Sequence, residues 1–327
     1  MKIWGIHSGI RENDEQIQSL GQEFSGHFEF KSATLKPLWR HVTSFLGYTH
    51  DSFFEHGADQ LVAPWPDIII NGHPSTAAIA MMVKQRSHNK SFLINVHRPE
   101  ISHASFDLII APEHEKIQAS NVFPITGFLN GIKPEKLSKK NYAYTFDHLP
   151  TPQILVLGGD EAQTVLLSDT EVAHIADDLS QLQNKIGGTL IISQTLDPDH
   201  RLKAKVDTIQ KTPAFFLDQD HPLIGAFAWA DIIVCVGDEI ANLSKACSTG
   251  KPVLHYKLNH ATPYGFAEFY QKLLSMNMIA TIHDNLSQAT YHPLREAERV
   301  ASHICQLLHK KIRLMYSFKV AIFVNKS

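Results

Sequence analysis

The sequence predicts an α/β fold in two successive blocks, and three observations carry that reading. Unbroken apolar runs, such as residues 68–70 and 232–236, suit parallel strands buried on both faces. Helix-length segments with helical spacing alternate with them, which gives a mostly parallel sheet flanked by helices. A polar stretch at 133–152, with Lys139, Lys140 and three prolines, then interrupts the pattern before it restarts. That stretch reads as an inter-domain linker, and 327 residues suit two domains of about 100–200 residues each.

In the first block, residues 2–7 form a strand closed by Ser8 and Gly9, followed by a helix over 14–24 and a strand over 27–32. Residues 35–46 read as a helix around Pro37, and the stretch to Gly57 is weakly patterned. A buried strand from Pro66 ends at Asn71 and Gly72 and leads into an Ala- and Met-rich helix over 75–86. Strands at 91–96, 106–111 and 121–126 complete the block, with His97-Arg98-Pro99-Glu100 as a loop between the first two.

The second block opens with a strand over 153–157 that enters Gly158-Gly159-Asp160. An amphipathic helix over 170–186 follows, with Val172, Ile175, Ala176, Leu179 and Leu182 on one side. Strands at 189–193 and 214–217 precede the best-defined unit. There the run to Val236 breaks at Gly237-Asp238-Glu239, and Ile240, Leu243, Ala246 and Cys247 recur at helical spacing. Gly250 and Pro252 stop that helix, and residues 253–256 form the next strand. Helices over 266–276 and 294–308 follow. Residues 310–327 begin basic and end in Val320-Ala321-Ile322-Phe323-Val324, too short to span a bilayer. They read as a terminal strand or frayed tail, with a peripheral membrane or partner contact as the minority reading. The domains expected are 1–145, 146–295 and a C-terminal helix and tail, 296–327, packing back on the first.

A hydrophobic fraction of 43% supplies two buried cores, and a net charge of −3 argues against general affinity for nucleic acid. Cys235, Cys247 and Cys305 have no metal-ligand spacing and point to a reducing compartment. With no signal-peptide pattern and no run of about 18 apolar residues, a soluble cytoplasmic protein is expected. The 20 histidines are scattered, Glu113-His114-Glu115 being the nearest approach to a cluster, so neither a metal nor a cofactor is expected. The lack of a P-loop, a nucleophile elbow and a Gly-x-Gly-x-x-Gly in the first turn disfavours kinase, hydrolase and NAD-dehydrogenase readings.

Several segments come together in one order: Pro66-Asp67-Ile68-Ile69-Ile70, then residues 106–115, then Asn121-Val122-Phe123-Pro124-Ile125-Thr126-Gly127. Leu157-Gly158-Gly159, Ala228-Trp229-Ala230-Asp231 and the Lys-Ala-Cys-Ser-Thr-Gly-Lys-Pro run at 245–252 follow. In this combination the chain resembles the mitochondrial-fission (elongated-mitochondria) protein family over roughly residues 60 to 280. The resemblance implies a GT-B-like arrangement, two Rossmann-like domains facing each other across a cleft. That fold is shared by nucleotide-sugar glycosyltransferases and non-hydrolysing sugar-nucleotide 2-epimerases.

It also implies where ligands go: acceptor side first, nucleotide side second. In such folds the nucleotide lies against helix N-termini and glycine turns of the second domain. Gly158, Gly159 and Asp160, the hydroxyls of Ser193 and Thr195, Gly237 and Glu239 at the focal helix start, and Lys245 form the candidate phosphate-binding set. Asp238 is either a base or, with Glu239, a helix cap. Two carboxylates there would repel a diphosphate, and Lys245 stands where the family commonly has an acidic residue. His7, ending the first strand, and His73, after Asn71-Gly72, are the catalytic candidates of the first domain. The leading expectation is a glycosyltransferase-like protein that binds or transfers from a nucleotide-activated sugar. A nucleoside-diphosphate-sugar epimerase and a non-catalytic scaffold or binding protein are the alternatives.

Overall fold

The computed structural model describes residues 1–39, 50–159, 167–209, 214–218, 221–259, 262–284 and 290–324, the last fourteen of these by backbone alone. The chain divides into two compact units, residues 1–131 with 295–327, and residues 132–294.

In the first unit the strands are β1 (Lys2–Ile6), β2 (His27–Lys31), the short pair β3 (Thr34–Leu35) and β4 (Phe54–His56), β5 (Ile68–Asn71), β6 (Phe92–Val96), β7 (Leu108–Pro112) and β8 (Val122–Ile125). Six of them form a parallel sheet in the order β2-β1-β5-β6-β7-β8. Strands β5, β6 and β7 are buried along their whole length, as their unbroken apolar runs require. Ile17 and Leu20 of helix Arg11–Gly21 cover one face together with Ala297, Val300, Ala301 and Ile304 of the final helix. Ala77, Ala80 and Val83 of helix Pro74–Arg86 cover the other, over Trp4 and Ile69.

The second unit holds β9 (Gln153–Gly158), β10 (Thr189–Ser193), β11 (Phe215–Leu217), β12 (Ile232–Val236), β13 (Val253–Tyr256) and β14 (Ile279–Thr281). They are parallel in the doubly wound order β11-β10-β9-β12-β13-β14. In both sheets the chain first winds to one side and then returns to the other. The direction reverses between β1 and β5 in the first unit and between β9 and β12 in the second. Crevices of open α/β sheets form at such points, outside the carboxyl ends of the strands.

One device recurs at the opposite, amino-terminal edge. Asp67, immediately before β5, donates its N–H to Lys2 O (2.8 Å) and accepts the Lys2 N–H on Oδ2 (2.7 Å). Asp107 before β7 makes the same pair with Leu93 of β6, at 2.9 and 2.7 Å. Asp231 before β12 makes it with Gln153 of β9, at 2.8 and 2.8 Å. Each carboxylate satisfies a strand-entry N–H that parallel pairing leaves over.

Four sequence expectations change. The first helix begins at Arg11, because Asp14 folds back onto the turn before it and does not start the helix. The stretch read as a linker belongs to the second unit: Ala143–Phe146 is helical and Phe146 is fully buried, which the prolines and lysines around it mask. Helices Arg201–Ile209 and Leu223–Trp229 and strand β14 were not expected, being short and weakly periodic. The segment read as a terminal strand or tail continues the last helix to Val324, since no Gly or Pro stops it after Pro293. The helix read over 35–46 falls largely outside the described residues; of those described, Thr34–Leu35 is strand and 37–39 are helical.

The clasp makes a stability prediction. Asp107 also holds Lys84 Nζ at 2.7 Å, and Leu93 is fully buried. Asp107→Ala leaves that N–H without its acceptor and should cost about 1–3 kcal/mol in urea unfolding. Asp107→Asn, which keeps an acceptor oxygen, should cost less. Equal costs for the two would show that the charge, and not the clasp, matters.

Candidate functional site

Register brings the predicted phosphate-binding residues of the second unit to one edge. Ile192 pairs with Val156, Cys235 with Leu157 and Val236 with Gly158, so Ser193, Gly158 and Gly237 leave adjacent strands together. A Cβ on Gly158 would stand 2.7 Å from Leu196 Cδ1 and 2.9 Å from Val236 O. Gly159 (φ +64°) and Gly237 (φ +89°) both turn through the left-handed region that side chains avoid. Ser193 Oγ and Thr195 Oγ1 lie 3.3 Å apart. Asp160 lies outside the described residues.

The carboxylates at the focal helix start do not act as the pair the sequence suggested. Glu239 is the N-cap of helix Ile240–Ser248 by position and makes no side-chain cap bond. Its Oε2 accepts from Asn242 Nδ2 at 2.6 Å, and the same amide donates to Gly159 O at 3.0 Å, tying the two glycine turns together. Asp238 turns away toward the following strand: Oδ2 accepts from Thr262 Oγ1 at 2.9 Å, and Oδ1 lies 3.4 Å from His255 Nε2. Its side chain is only 9% exposed, so the charge is withdrawn from the helix start. Lys245 sits in the last turn of that helix, five residues and about 8 Å along the axis from Ile240.

In the first unit, His7 and His73 follow β1 and β5, the strands that flank the reversal. Asp14, from the helix after β1, accepts from Ser8 N (2.9 Å), Ser8 Oγ (2.9 Å) and Gly9 N (3.2 Å), and its Oδ2 lies 3.2 Å from His7 Nε2. His73 caps helix Pro74–Arg86: Nδ1 accepts from Ser75 N at 3.2 Å and lies 2.7 Å from Ser75 Oγ. Asn71 Nδ2 and Thr76 Oγ1 both donate to His73 O. Burial lowers the His73 pKa, while the charges of Glu100 and Asp14 act the other way.

Beside them is a chain of groups that sequence reasoning left unassigned. Gln16 Oε1 accepts from Leu129 N (3.3 Å), which turns its amide nitrogen toward His97 Nε2 at 2.9 Å. His97 Nδ1 meets Glu115 Oε1 at 3.1 Å. His97 itself has φ +69°, a costly conformation for a residue with a Cβ. The only sequence signal was the position of His97 and Glu115 after strands, because the partners of His97 are 81 and 18 residues away.

The Thr249-Gly250-Lys251-Pro252 segment lies at the other edge. Lys251 Nζ donates to the carbonyls of Phe227, Ala228 and Ala230, closing the end of helix Leu223–Trp229. Among the described residues no group of three His, Cys, Asp or Glu side chains could hold a metal ion. No helix among them is long and apolar enough to cross a membrane.

The family model described as Mitochondrial fission ELM1 matches residues 13–308. The mitochondrial fission protein ELM1 of Arabidopsis thaliana is 23% identical over 73% of this chain and 63% of its own length, so the chain spans less than two thirds of that relative. The uncharacterized protein RP120 of Rickettsia prowazekii (strain Madrid E) is 24% identical, with 100% of both chains covered. Among solved structures, UDP-GlcNAc 2-epimerase from Methanocaldococcus jannaschii is similar at a TM-score of 0.54 and 12% identity, covering 94% of this chain and 100% of that one. The same enzyme in complex with UDP-GlcNAc and UDP gives 0.50 and 12%, covering 95% and 100%. The two parallel α/β units are thus of GT-B-like fold.

Burial holds the His255 imidazole below its ordinary value of 6.5, against the opposing pull of Gly237 O and Asp238. The folded protein therefore keeps His255 neutral where the unfolded chain takes up a proton, so stability is lost as pH falls below the ordinary value. Urea unfolding at about pH 7.5 and 5.5 should show a smaller loss in His255→Gln than in the wild type. An unchanged difference would show that His255 does not titrate between the two states.

Proposed function

The chain belongs to the mitochondrial fission ELM1 family, and from that premise we propose that its second unit binds the diphosphate of a nucleotide-activated sugar at the carboxyl edge of β9 and β12. The observation that carries this reading is the pair of left-handed glycine turns, Gly159 and Gly237, on either side of the sheet reversal. Gly237 leads into a nine-residue helix whose N-cap makes no side-chain cap bond, and Asn242 of that helix donates to Gly159 O. Backbone N–H groups and the helix dipole at such a start favour a phosphate, and glycine lets the chain approach it closely.

The local chemistry supports the reading in three further ways. Asp238, one of the two carboxylates that argued against an anion, is turned onto Thr262 and His255. Glu239 is held by Asn242. The Ser193 and Thr195 hydroxyls leave the neighbouring strand at the same edge, where they donate to phosphate oxygens. Lys245 stands in the last turn of the same helix, about 8 Å from its start, so what it adds to phosphate binding is long-range charge. A diphosphate held there is a stabilised leaving group, which is the chemistry of glycosyl transfer from a nucleotide sugar. The Methanocaldococcus enzyme of the same fold is described in complex with UDP-GlcNAc and UDP, which makes the uridine series the first to try.

The test is a thermal-shift screen with UDP, GDP, ADP, CMP and their sugar conjugates. Saturation at a hundredfold excess over Kd adds about 2.7 kcal/mol of stability. One nucleotide class should raise Tm, and Lys245→Glu and Ser193→Ala should each reduce that rise without lowering the Tm of the free protein. A wild-type protein that none of these compounds stabilises at millimolar concentration would rule the reading out, and would favour a binding or scaffold role that has kept only the fold.

A further inference from the structure

The final helix, Glu296–Val324, changes chemistry along its length. Over 297–308 it belongs to the core of the first unit. Ala297, Val300, Ala301 and Ile304 are buried there, and Cys305, Leu307 and Leu308 pack against them. That stretch is about 17 Å long at a rise of about 1.5 Å per residue. The strands of the same core have four or five residues, about 13–17 Å each. The helix nonetheless runs on from Leu308 for a further 16 residues, about 24 Å. It outruns the sheet on which it starts.

Residues 309–327 also lie beyond the segment that the family model matches, so their role is read from their own chemistry. Lys310, Lys311, Arg313, Lys319 and Lys326 are all basic, and no Asp or Glu follows Glu298. Ten of the 13 residues over 312–324 are apolar. Val320, Ala321, Ile322, Phe323 and Val324 follow one another without a break, and five residues exceed one helical turn of about 3.6. Apolar positions therefore go right round the helix. A helix lying on a protein surface is apolar along one stripe only; an apolar circumference suits an apolar medium on every side.

Two such media are conceivable, a lipid layer and a second copy of the same segment. Pairing two copies would bring five cations against five more with no carboxylate among them, and like charges across an interface are unfavourable. An anionic lipid surface neutralises the same charges. No helix among the described residues is long and apolar enough to cross a membrane. The 314–324 stretch, about 15 Å long, matches half of a hydrocarbon core of about 30 Å.

We propose that the extension of the final helix docks on an anionic lipid surface. Lys310, Lys311 and Arg313 lie at the headgroups, and 314–324 enter one leaflet. Long-range attraction to the charged surface brings the helix in, and burial of its apolar length holds it there. Lys319 is accommodated because a lysine stem can run along apolar surroundings and keep its ammonium at the headgroups. This docking uses the first unit's helix alone and stands independently of the nucleotide reading of the second unit.

The experiment is co-sedimentation of the full chain with lipid vesicles. Phosphatidylcholine vesicles that contain phosphatidylglycerol should carry the protein down, pure phosphatidylcholine should carry down much less, and added salt should reduce the bound fraction. Lys310→Glu, Lys311→Glu and Arg313→Glu together should weaken binding about a hundredfold or more, since each charge near an anionic surface is worth about a factor of five. Ile322→Asp with Phe323→Asp keeps every cation and should weaken binding at least as strongly, because an acidic residue is costly inside a leaflet. The Tm of each variant is measured alongside to show that the fold is intact. Wild-type protein that stays in solution with anionic vesicles, or binding undiminished in either variant, would overturn the proposal. So would a lipid-free dimer that Ile322→Asp with Phe323→Asp takes apart, which would assign the apolar length to a second copy. Any nucleotide-induced rise in Tm should be the same in wild type and variants, so the lipid and nucleotide proposals fail separately.

Discussion

The aspartate that precedes a strand and takes its neighbour's first N–H is the contact on which the rest of the architecture depends. Parallel strands have no hairpin to fix their register, and a slip of one residue would send every side chain to the opposite face. Asp67 clasps β5 to β1, and Asp231 clasps β12 to β9. These are the two pairs between which each sheet reverses direction. Fixing them at the entry edge sets which residues emerge level at the exit edge. His7 therefore stands level with Gly72 in one unit, and Gly158 comes beside Gly237 in the other.

This arrangement explains why the family was recognisable while the activity was not. Pro66-Asp67, Phe106-Asp107, Ala230-Asp231 and Thr249-Gly250-Lys251-Pro252 all lie at the entry edges, where they clasp strands or close a helix end. Lys251 meets three carbonyls there and serves the fold, although an isolated lysine in a glycine-containing motif reads as a phosphate ligand. Resemblance in such segments transfers architecture. Chemistry has to be read at the other edge, where Leu157-Gly158-Gly159 is the shared segment that meets the proposed phosphate site.

Much of the fold was legible because the central strands are buried on both faces and therefore apolar without interruption, as at Ile68–Asn71 and Ile232–Val236. Short helices such as Leu223–Trp229 lack enough turns for a period to show, and Phe146 is buried among residues whose composition reads as linker. At the sites, strand-end position picked out His7, His73 and the two glycine turns. Partnership was not legible. Asp238 follows Gly237 and precedes a helix, so adjacency made it a base or a cap, yet its contacts are Thr262, 24 residues on, and His255. Asp14 looked like the start of a helix and is instead the group that folds back onto Ser8, Gly9 and His7.

The two exit edges differ in one physical respect that decides what each can hold. In the first unit His73 fills the start of helix Pro74–Arg86, and Asp14 and Glu100 add negative charge near it, so an anion at that helix start would meet a filled N–H group and repulsion. In the second, the side chain best placed to fill the focal helix start, Asp238, is drawn onto the next strand, and the N-cap Glu239 is taken by Asn242. Helix dipoles are similar everywhere, so the difference lies in local capping and not in net charge. Thr262, with His255 beside it, thereby bears on the proposed phosphate edge without touching a ligand: by donating to Asp238 it keeps a carboxylate off the helix start. Weakening that hold, through Thr262 or through His255, frees a negative charge to swing back onto the N–H groups that a diphosphate would need.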